Sequence, residues 1–230
     1  MLLESLRAEV LEANLEVVRQ GLVLYTIGTA SGISRERGLV VNKTSGVPYE
    51  GMTAADLVIA DLHGRVVEGH LKPSSDLATH LALYREYPHL GGIVHTHSPY
   101  ATAWAQARRE IPCLGTTHAD YFHGPIPVTE PMPEAEIETD YELNTGHAII
   151  RRFTSLNSMS IPAVLVAGHA PFAWGRSAIE AARHAVILEE VAKMAYRSVV
   201  LQSEFQALEQ PLHDKHFLRK NGPDAYYGQK

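Results

Sequence analysis

The chain has 230 residues, 45% hydrophobic and 20% charged, a length that suits one large domain able to bury a core without staples. Its net charge of −6 argues against a nucleic-acid partner or an anionic membrane surface, and the lone Cys113 leaves no internal disulfide. No apolar run approaches the ~18 residues that span a bilayer. An acid follows at once in Met1-Leu2-Leu3-Glu4, so no membrane partner and a cytoplasmic location are expected.

The first element is a helix, with Leu3, Leu6, Val10, Ala13 and Val17 at three- and four-residue spacing and Gly21 as a stop. Three short β-rich runs follow, Leu22–Ile27, Gly38–Val41 and Leu57–Ala60, the last preceded by a capping-box pattern from Thr53 to Asp56. A helix is expected from Asp76 to Tyr87, stopped by Pro88, then a buried strand over Gly91–His95. Ser98-Pro99 opens a helix to about Ala107, with Pro in the tolerated first position. Gly115 to Met132 reads as irregular, and Tyr141 to Arg152 as helical. Ala163–Ala167 and Phe172–Trp174 are apolar runs joined by the hairpin-like turn Gly168-His169-Ala170-Pro171. The longest helix runs from Ser177, with Glu180 completing a capping box, to about Leu201. The last 20 residues, with Pro211, Gly222 and Pro223, read as an extended tail. The turns are too short for many crossover helices, which favours one α/β domain with a mixed or largely antiparallel sheet.

Histidine is the unusual residue: there are 13, more than Phe and Met together, and no run of them suggests a tag. In Ile93-Val94-His95-Thr96-His97-Ser98 a buried strand leads into two histidines at i and i+2. On an extended chain both imidazoles share one face about 6.6 Å apart, a spacing that suits two ligands of one Zn²⁺. Such a pair in isolation is more often surface decoration. A third, His169, stands at the end of another apolar strand, and three protein ligands with an open position form the catalytic pattern.

Lys72-Pro73-Ser74-Ser75-Asp76 at a helix start could hold an anion on hydroxyls and backbone N–H groups, or could simply cap the helix. Asn42-Lys43-Thr44-Ser45-Gly46 could hold a phosphate or be a plain turn, and its spacing is not a P-loop. Asp120 in Thr116-Thr117-His118-Ala119-Asp120-Tyr121 could be an acid or base, or merely solvated.

Together these pieces, with Pro171-Phe172-Ala173-Trp174-Gly175, resemble the class II aldolase/adducin family and, within it, its ketopentose-phosphate 4-epimerases. The resemblance runs from Val10-Leu11-Glu12-Ala13-Asn14 to Ala225-Tyr226-Tyr227-Gly228-Gln229. It implies a central, mostly antiparallel sheet flanked by helices in one domain, residues 1–230. It also implies a homotetramer in which the tail, residues 205–230, completes a neighbour's site. By resemblance His95, His97 and His169, with the carboxylate Asp76, are the metal set, for Zn²⁺ or another divalent cation such as Mn²⁺ or Co²⁺. Aldolase relatives carry Glu where Asp76 stands. Gly28, Thr29, Lys43, Ser45, Gly46, Ser74, Ser75, Thr116, Thr117, His216 and Arg219 are the implied contacts to a sugar phosphate. Asp120 and Tyr227 are the implied acid/base pair, Tyr227 reaching from a neighbouring subunit. The implied reaction converts L-ribulose 5-phosphate to D-xylulose 5-phosphate by breaking and remaking C3–C4. An aldolase on a related phosphorylated ketose, or a non-catalytic adducin-like module, are the alternatives. One departure stands out: the family's epimerases read Gly-Asn where this chain has Gly28-Thr29, which puts the contact there in question.

Overall fold

Short apolar segments broken by glycine-rich turns pair with their sequence neighbours, and the result is one antiparallel sheet. The computed structural model describes residues 1–227; Gly228 and Gln229, the last part of the resemblance, lie outside them. The strands are β1 (Gly28–Ser34), β2 (Leu39–Asn42), β3 (Val58–Asp61), β4 (Val66–Glu68), β5 (Gly92–Thr96), β6 (Ala163–Leu165) and β7 (Pro171–Gly175). They lie in the order β4-β3-β2-β1-β5-β7-β6, every pair antiparallel. The larger helices are α1 (Glu4–Arg19), α2 (Leu77–Glu86), α3 (Pro99–Gln106), α6 (Tyr141–Arg152), α7 (Ala178–Leu201) and α8 (Gln210–Asn221); α4 (Thr116–Ala119) and α5 (Glu134–Ile137) are single turns.

Alternation along β1 assigns the two faces. A Cβ at Gly32 would meet Val10 and Leu6 of α1 and Ala178 of α7, so those helices cover one face. Its neighbour Ser31 points the other way, its hydroxyl 2.7 Å from His80 Nδ1 and 2.9 Å from the Tyr84 hydroxyl of α2. The start of α7 crosses β5 at Gly92, where a Cβ would lie 2.4 Å from Ala178 backbone; only glycine allows that approach. The capping box at Thr53 forms. At Ser177 only half of it does, the Ser177 hydroxyl accepting the Glu180 N–H at 3.1 Å while the Glu180 carboxylate accepts from Arg176 N. Ser98 stands at the N-cap of α3 without a side-chain capping bond, with Pro99 as the first residue.

Four expectations are corrected. Leu22–Ile27 is not a strand: it closes as a turn, Ile27 N donating to Leu24 O at 2.9 Å, and β1 begins at Gly28. The sequence Gly-Thr-Ala-Ser-Gly-Ile-Ser has little β-propensity, but helices packed closely on this central strand require small residues. The three-residue β4 was not expected, being too short to show periodicity. The irregular stretch from Gly115 contains the single turn α4. The tail is not extended over Gln210–Asn221 but helical, since Pro211 occupies the first turn, where its missing N–H costs nothing. Among the described residues no helix is long and apolar enough to cross a membrane.

Candidate active site

The antiparallel pairing of β5 with β7 brings the carboxyl end of β5 beside the β6–β7 turn. His95, His97 and His169 therefore converge. Their ring centroids lie 5.0 Å (His95–His97), 4.9 Å (His95–His169) and 5.0 Å (His97–His169) apart. One nitrogen from each can be chosen so that all three lie within 4.8 Å of one another. His95 Nδ1 donates to the Pro171 carbonyl at 2.9 Å, which fixes Nε2 as its lone-pair nitrogen. The Phe172 ring stacks on the same imidazole at 4.2 Å. Behind the corner that follows His97, the buried Glu189 carboxylate of α7 accepts the Tyr100 and Ala101 N–H groups at 2.8 and 2.9 Å. Carboxylate and helix dipole reinforce each other there, holding the chain after His97 in place.

Burial lowers the pKa of all three histidines, His95 to about 3 with His97 adding to the effect and His169 to about 4 with both other imidazoles adding to it. For His97 burial outweighs the opposing charge of Asp76. All three are neutral at pH 7 and offer lone pairs, a donor set that fits a borderline-soft divalent cation. Asp76 lines the same cleft, and the group of three nitrogens within 4.8 Å of one another does not include its carboxylate. As N-cap of α2 it makes no capping bond, and its Oδ2 accepts instead from Ser74 Oγ at 3.2 Å.

The histidines line a cleft of about 380 Å³ together with Gly28, Lys43–Gly46, Ser74–Asp76 and Tyr141, among others. Two chain segments are joined here: Ser45 N donates to Lys72 O and Ser74 N to Lys43 O, both at 2.9 Å. Gly28 (φ +137°) and Gly46 (φ +68°) supply backbone conformations that favour glycine. Lys43 is 2% exposed, and among the described residues no carboxylate pairs with it. Its ammonium donates to Thr44 O at 3.2 Å and lies 4.5 Å over the Tyr49 ring, and burial lowers its pKa. The Thr44 hydroxyl is buried without a partner among the described residues. A buried unpaired cation with an unsatisfied hydroxyl is costly without an anion to satisfy both.

Thr29 is elsewhere. It is fully buried and does not line the cleft; its hydroxyl accepts from Asn42 Nδ2 at 3.4 Å. An amide thus stands beside position 29, on the adjacent strand. The cleft also includes Thr44, from the loop expected to hold a phosphate, and Thr26, Ile27, Tyr141 and Glu142, which the sequence did not suggest. Tyr141 carries its hydroxyl to 3.4 Å from His169 Nδ1. Nothing in a lone Tyr-Glu at a helix start marks it as lining a site.

The remaining expected residues form a second cluster. Asp120 Oδ1 accepts from His216 Nδ1 (3.0 Å) and Arg219 Nε (3.1 Å), and Oδ2 from Arg219 (2.9 Å); Lys220 Nζ is 3.1 Å from Oδ2. Burial alone would raise the Asp120 pKa, but the hydrogen bonds from Arg219, His216 and Lys220 outweigh it and hold it below the usual carboxylate value. The half-exposed Tyr227 ring lies 4.7 Å from the Arg219 guanidinium carbon and 4.6 Å from Lys220 Nζ. Asp120, His216, Arg219 and Tyr227 are therefore one assembly, but they do not line the histidine cleft of their own chain. Thr116 and Thr117 lie in α4 beside this assembly, and Thr117 lines a separate recess against Val191 and Met194 of α7.

A family model described as the class II aldolase and adducin N-terminal domain matches residues 8–196. Among solved structures, an L-fuculose 1-phosphate aldolase is 24% identical with a TM-score of 0.79, covering 94% of this chain and 96% of its own. The L-fuculose-1-phosphate aldolase of Thermus thermophilus is 25% identical (TM-score 0.68; 88% and 98% covered). A sugar-phosphate aldolase from Thermotoga maritima is 19% identical (TM-score 0.66; 86% and 96%), a likeness of fold alone.

Proposed function

Because the chain belongs to the class II aldolase/adducin family, we propose that it is a divalent-cation-dependent L-ribulose-5-phosphate 4-epimerase. The observation that carries the reading is one cleft lined both by three neutral histidines and by the buried Lys43, which has no carboxylate partner among the described residues. Such a cleft suits a substrate with chelating oxygens at one end and a phosphate at the other. Lys43, the hydroxyls of Thr44, Ser45, Ser74 and Ser75, and local N–H groups take the phosphate. A cation held by His95, His97 and His169, Zn²⁺ being the best fit to nitrogen donors, supplies Lewis acidity to the ketose oxygens. Asp76 lies alongside as a carboxylate one methylene shorter than the Glu implied for aldolases, which favours the epimerase branch.

C4 of a ketopentose carries no acidic hydrogen, so inversion requires breaking C3–C4. The C4 hydroxyl gives its proton to a base and becomes an aldehyde, while the bonding pair stays with C3. The aldehyde turns, C3 attacks its other face, and the new hydroxyl receives a proton from an acid. Ionised Asp120 can accept a proton but carries none, and the Tyr227 hydroxyl is the donor. Since both belong to an assembly outside their own chain's cleft, a second copy brings them to it. The chain therefore acts as an oligomer, the family resemblance indicating a tetramer.

The alternative reading, an aldolase releasing the aldehyde, is favoured by the fuculose-phosphate aldolases among its structural relatives. NMR of L-ribulose 5-phosphate with the zinc-loaded protein decides: xylulose 5-phosphate supports the epimerase, and glycolaldehyde phosphate without epimer supports the aldolase.

A further inference from the structure

We propose that Asn42 is a positioning residue that couples the cation end of the cleft to its anion end, an inference that rests on the reading of the cleft above. Asn42 closes β2 and is fully buried, where both ends of a carboxamide need partners. Its Oδ1 accepts the Ser74 N–H at 3.0 Å, and its Nδ2 donates to Thr29 Oγ1 at 3.4 Å. Each partner leads to one end of the cleft. Thr29 is the β1 residue directly opposite His95 in the β1–β5 register. Ser74 carries its hydroxyl to Asp76 and borders Ser75. A single amide thus ties the strand beside the first histidine to the segment that holds the anion-binding hydroxyls.

Asn42 itself does not line the cleft, so it acts through Ser74 and Thr29. The Ser74 N–H is shared with Lys43 O at 2.9 Å, so the backbone joint between the two segments exists without the amide. What the amide adds is a link from that joint across to β1. A substrate held at both ends depends on the distance between them, and a misplacement on the order of 1 Å can cost about a hundredfold in rate. The preceding Val40 and Val41 are buried and apolar, so a buried amide at the end of this strand is not what the sheet itself demands. The pair also explains Thr29: its hydroxyl is a fixed acceptor for an amide supplied by the next strand.

The test uses full-length protein loaded with zinc, titrated calorimetrically with inorganic phosphate and assayed with L-ribulose 5-phosphate. Asn42→Leu removes both bonds; Thr29→Val removes one, and Thr29→Ser restores it. The expected result is about tenfold weaker phosphate binding and a higher KM for Asn42→Leu, the loss of one or two hydrogen bonds. A smaller loss is expected in Thr29→Val and wild-type behaviour in Thr29→Ser. Zinc affinity, read by competition with a chelator, stays unchanged in all three. Wild-type phosphate affinity in Asn42→Leu and Thr29→Val overturns the proposal, as does a parallel fall in zinc affinity, which marks general loosening. If Asn42→Leu does not fold, the Thr29→Val and Thr29→Ser pair decides by the same criteria. A wild-type protein that binds neither zinc nor phosphate overturns the cleft reading itself, before any variant is made.

Discussion

Lys43 concentrates the tension between stability and binding in this molecule. A buried ammonium with no carboxylate partner among the described residues is costly to the protein's stability, and the proposed phosphate would offset that cost. Lys43→Met is therefore expected to raise the thermal midpoint, by about 1 kcal/mol of stability, and to raise KM for the sugar phosphate 10- to 100-fold, about the value of a charge-assisted hydrogen bond. A calorimetric scan and steady-state kinetics on the same variant check both directions. His97→Asn is expected to abolish stoichiometric zinc binding, measured by elemental analysis, because two imidazoles leave the cation a poor site. At this scale the sequence was informative where chemistry and position coincide. His95, His97 and His169 stand at strand ends, and the antiparallel sheet brings those ends together. It was uninformative where side-chain direction decides. Thr29 lies one residue from Gly28, and strand alternation takes its hydroxyl into the sheet toward Asn42. Asp76 shares the cleft with the histidines, and the group of three nitrogens does not include its carboxylate.

Among the elements, α8 shows how tertiary contacts override a local reading. Proline and glycine near its ends suggested an extended tail, but one sits in the first turn and the other just after the last. The helix docks mainly by polar contacts: His213 donates to Phe122 O (3.0 Å), Asp214 meets His123 (2.8 Å), and Arg219 meets Asp120. Such pairing depends on residues about 90 positions away in sequence and leaves no periodic trace. All these anchors precede Pro223. Deletion after Pro223 is therefore expected to remove Tyr227 and abolish turnover while leaving the unfolding midpoint within about 1 °C of the parent, since exposed chain ends contribute little. Full turnover in the truncated protein would contradict the role given to Tyr227. Asp120→Asn is expected instead to loosen α8, visible as faster hydrogen exchange over Gln210–Asn221. The central strand β1 was missed for a related reason. Its small residues answer to helix packing on both faces, not to β-propensity.

The whole molecule buries several neutral imidazoles, and its stability should carry their signature. Burial holds His80 and His95 at about 3, and His118 and His169 at about 4, against 6.5 for the unfolded chain. The unfolded state binds more protons than the folded state between these values, so stability is complete above about pH 6.5 and falls as pH drops toward 4. Each such group contributes up to about 1.4 kcal/mol per pH unit in that window. Urea midpoints of the zinc-free protein at pH 7.5 and pH 5 test this, and equal midpoints would contradict it. At the same scale, one chain separates the cleft from the Asp120–Tyr227 assembly, so activity is expected to depend on association. Dilution below the dissociation constant of the oligomer should abolish specific activity with no change in secondary structure.

The most direct measurement is the fate of ¹³C-labelled L-ribulose 5-phosphate incubated with zinc-loaded protein and followed by NMR. A 4-epimerase accumulates D-xylulose 5-phosphate to equilibrium, without release of glycolaldehyde phosphate and without turnover by His97→Asn. Zinc-bound wild-type protein that leaves the substrate unchanged, or that only cleaves it, would contradict the epimerase reading.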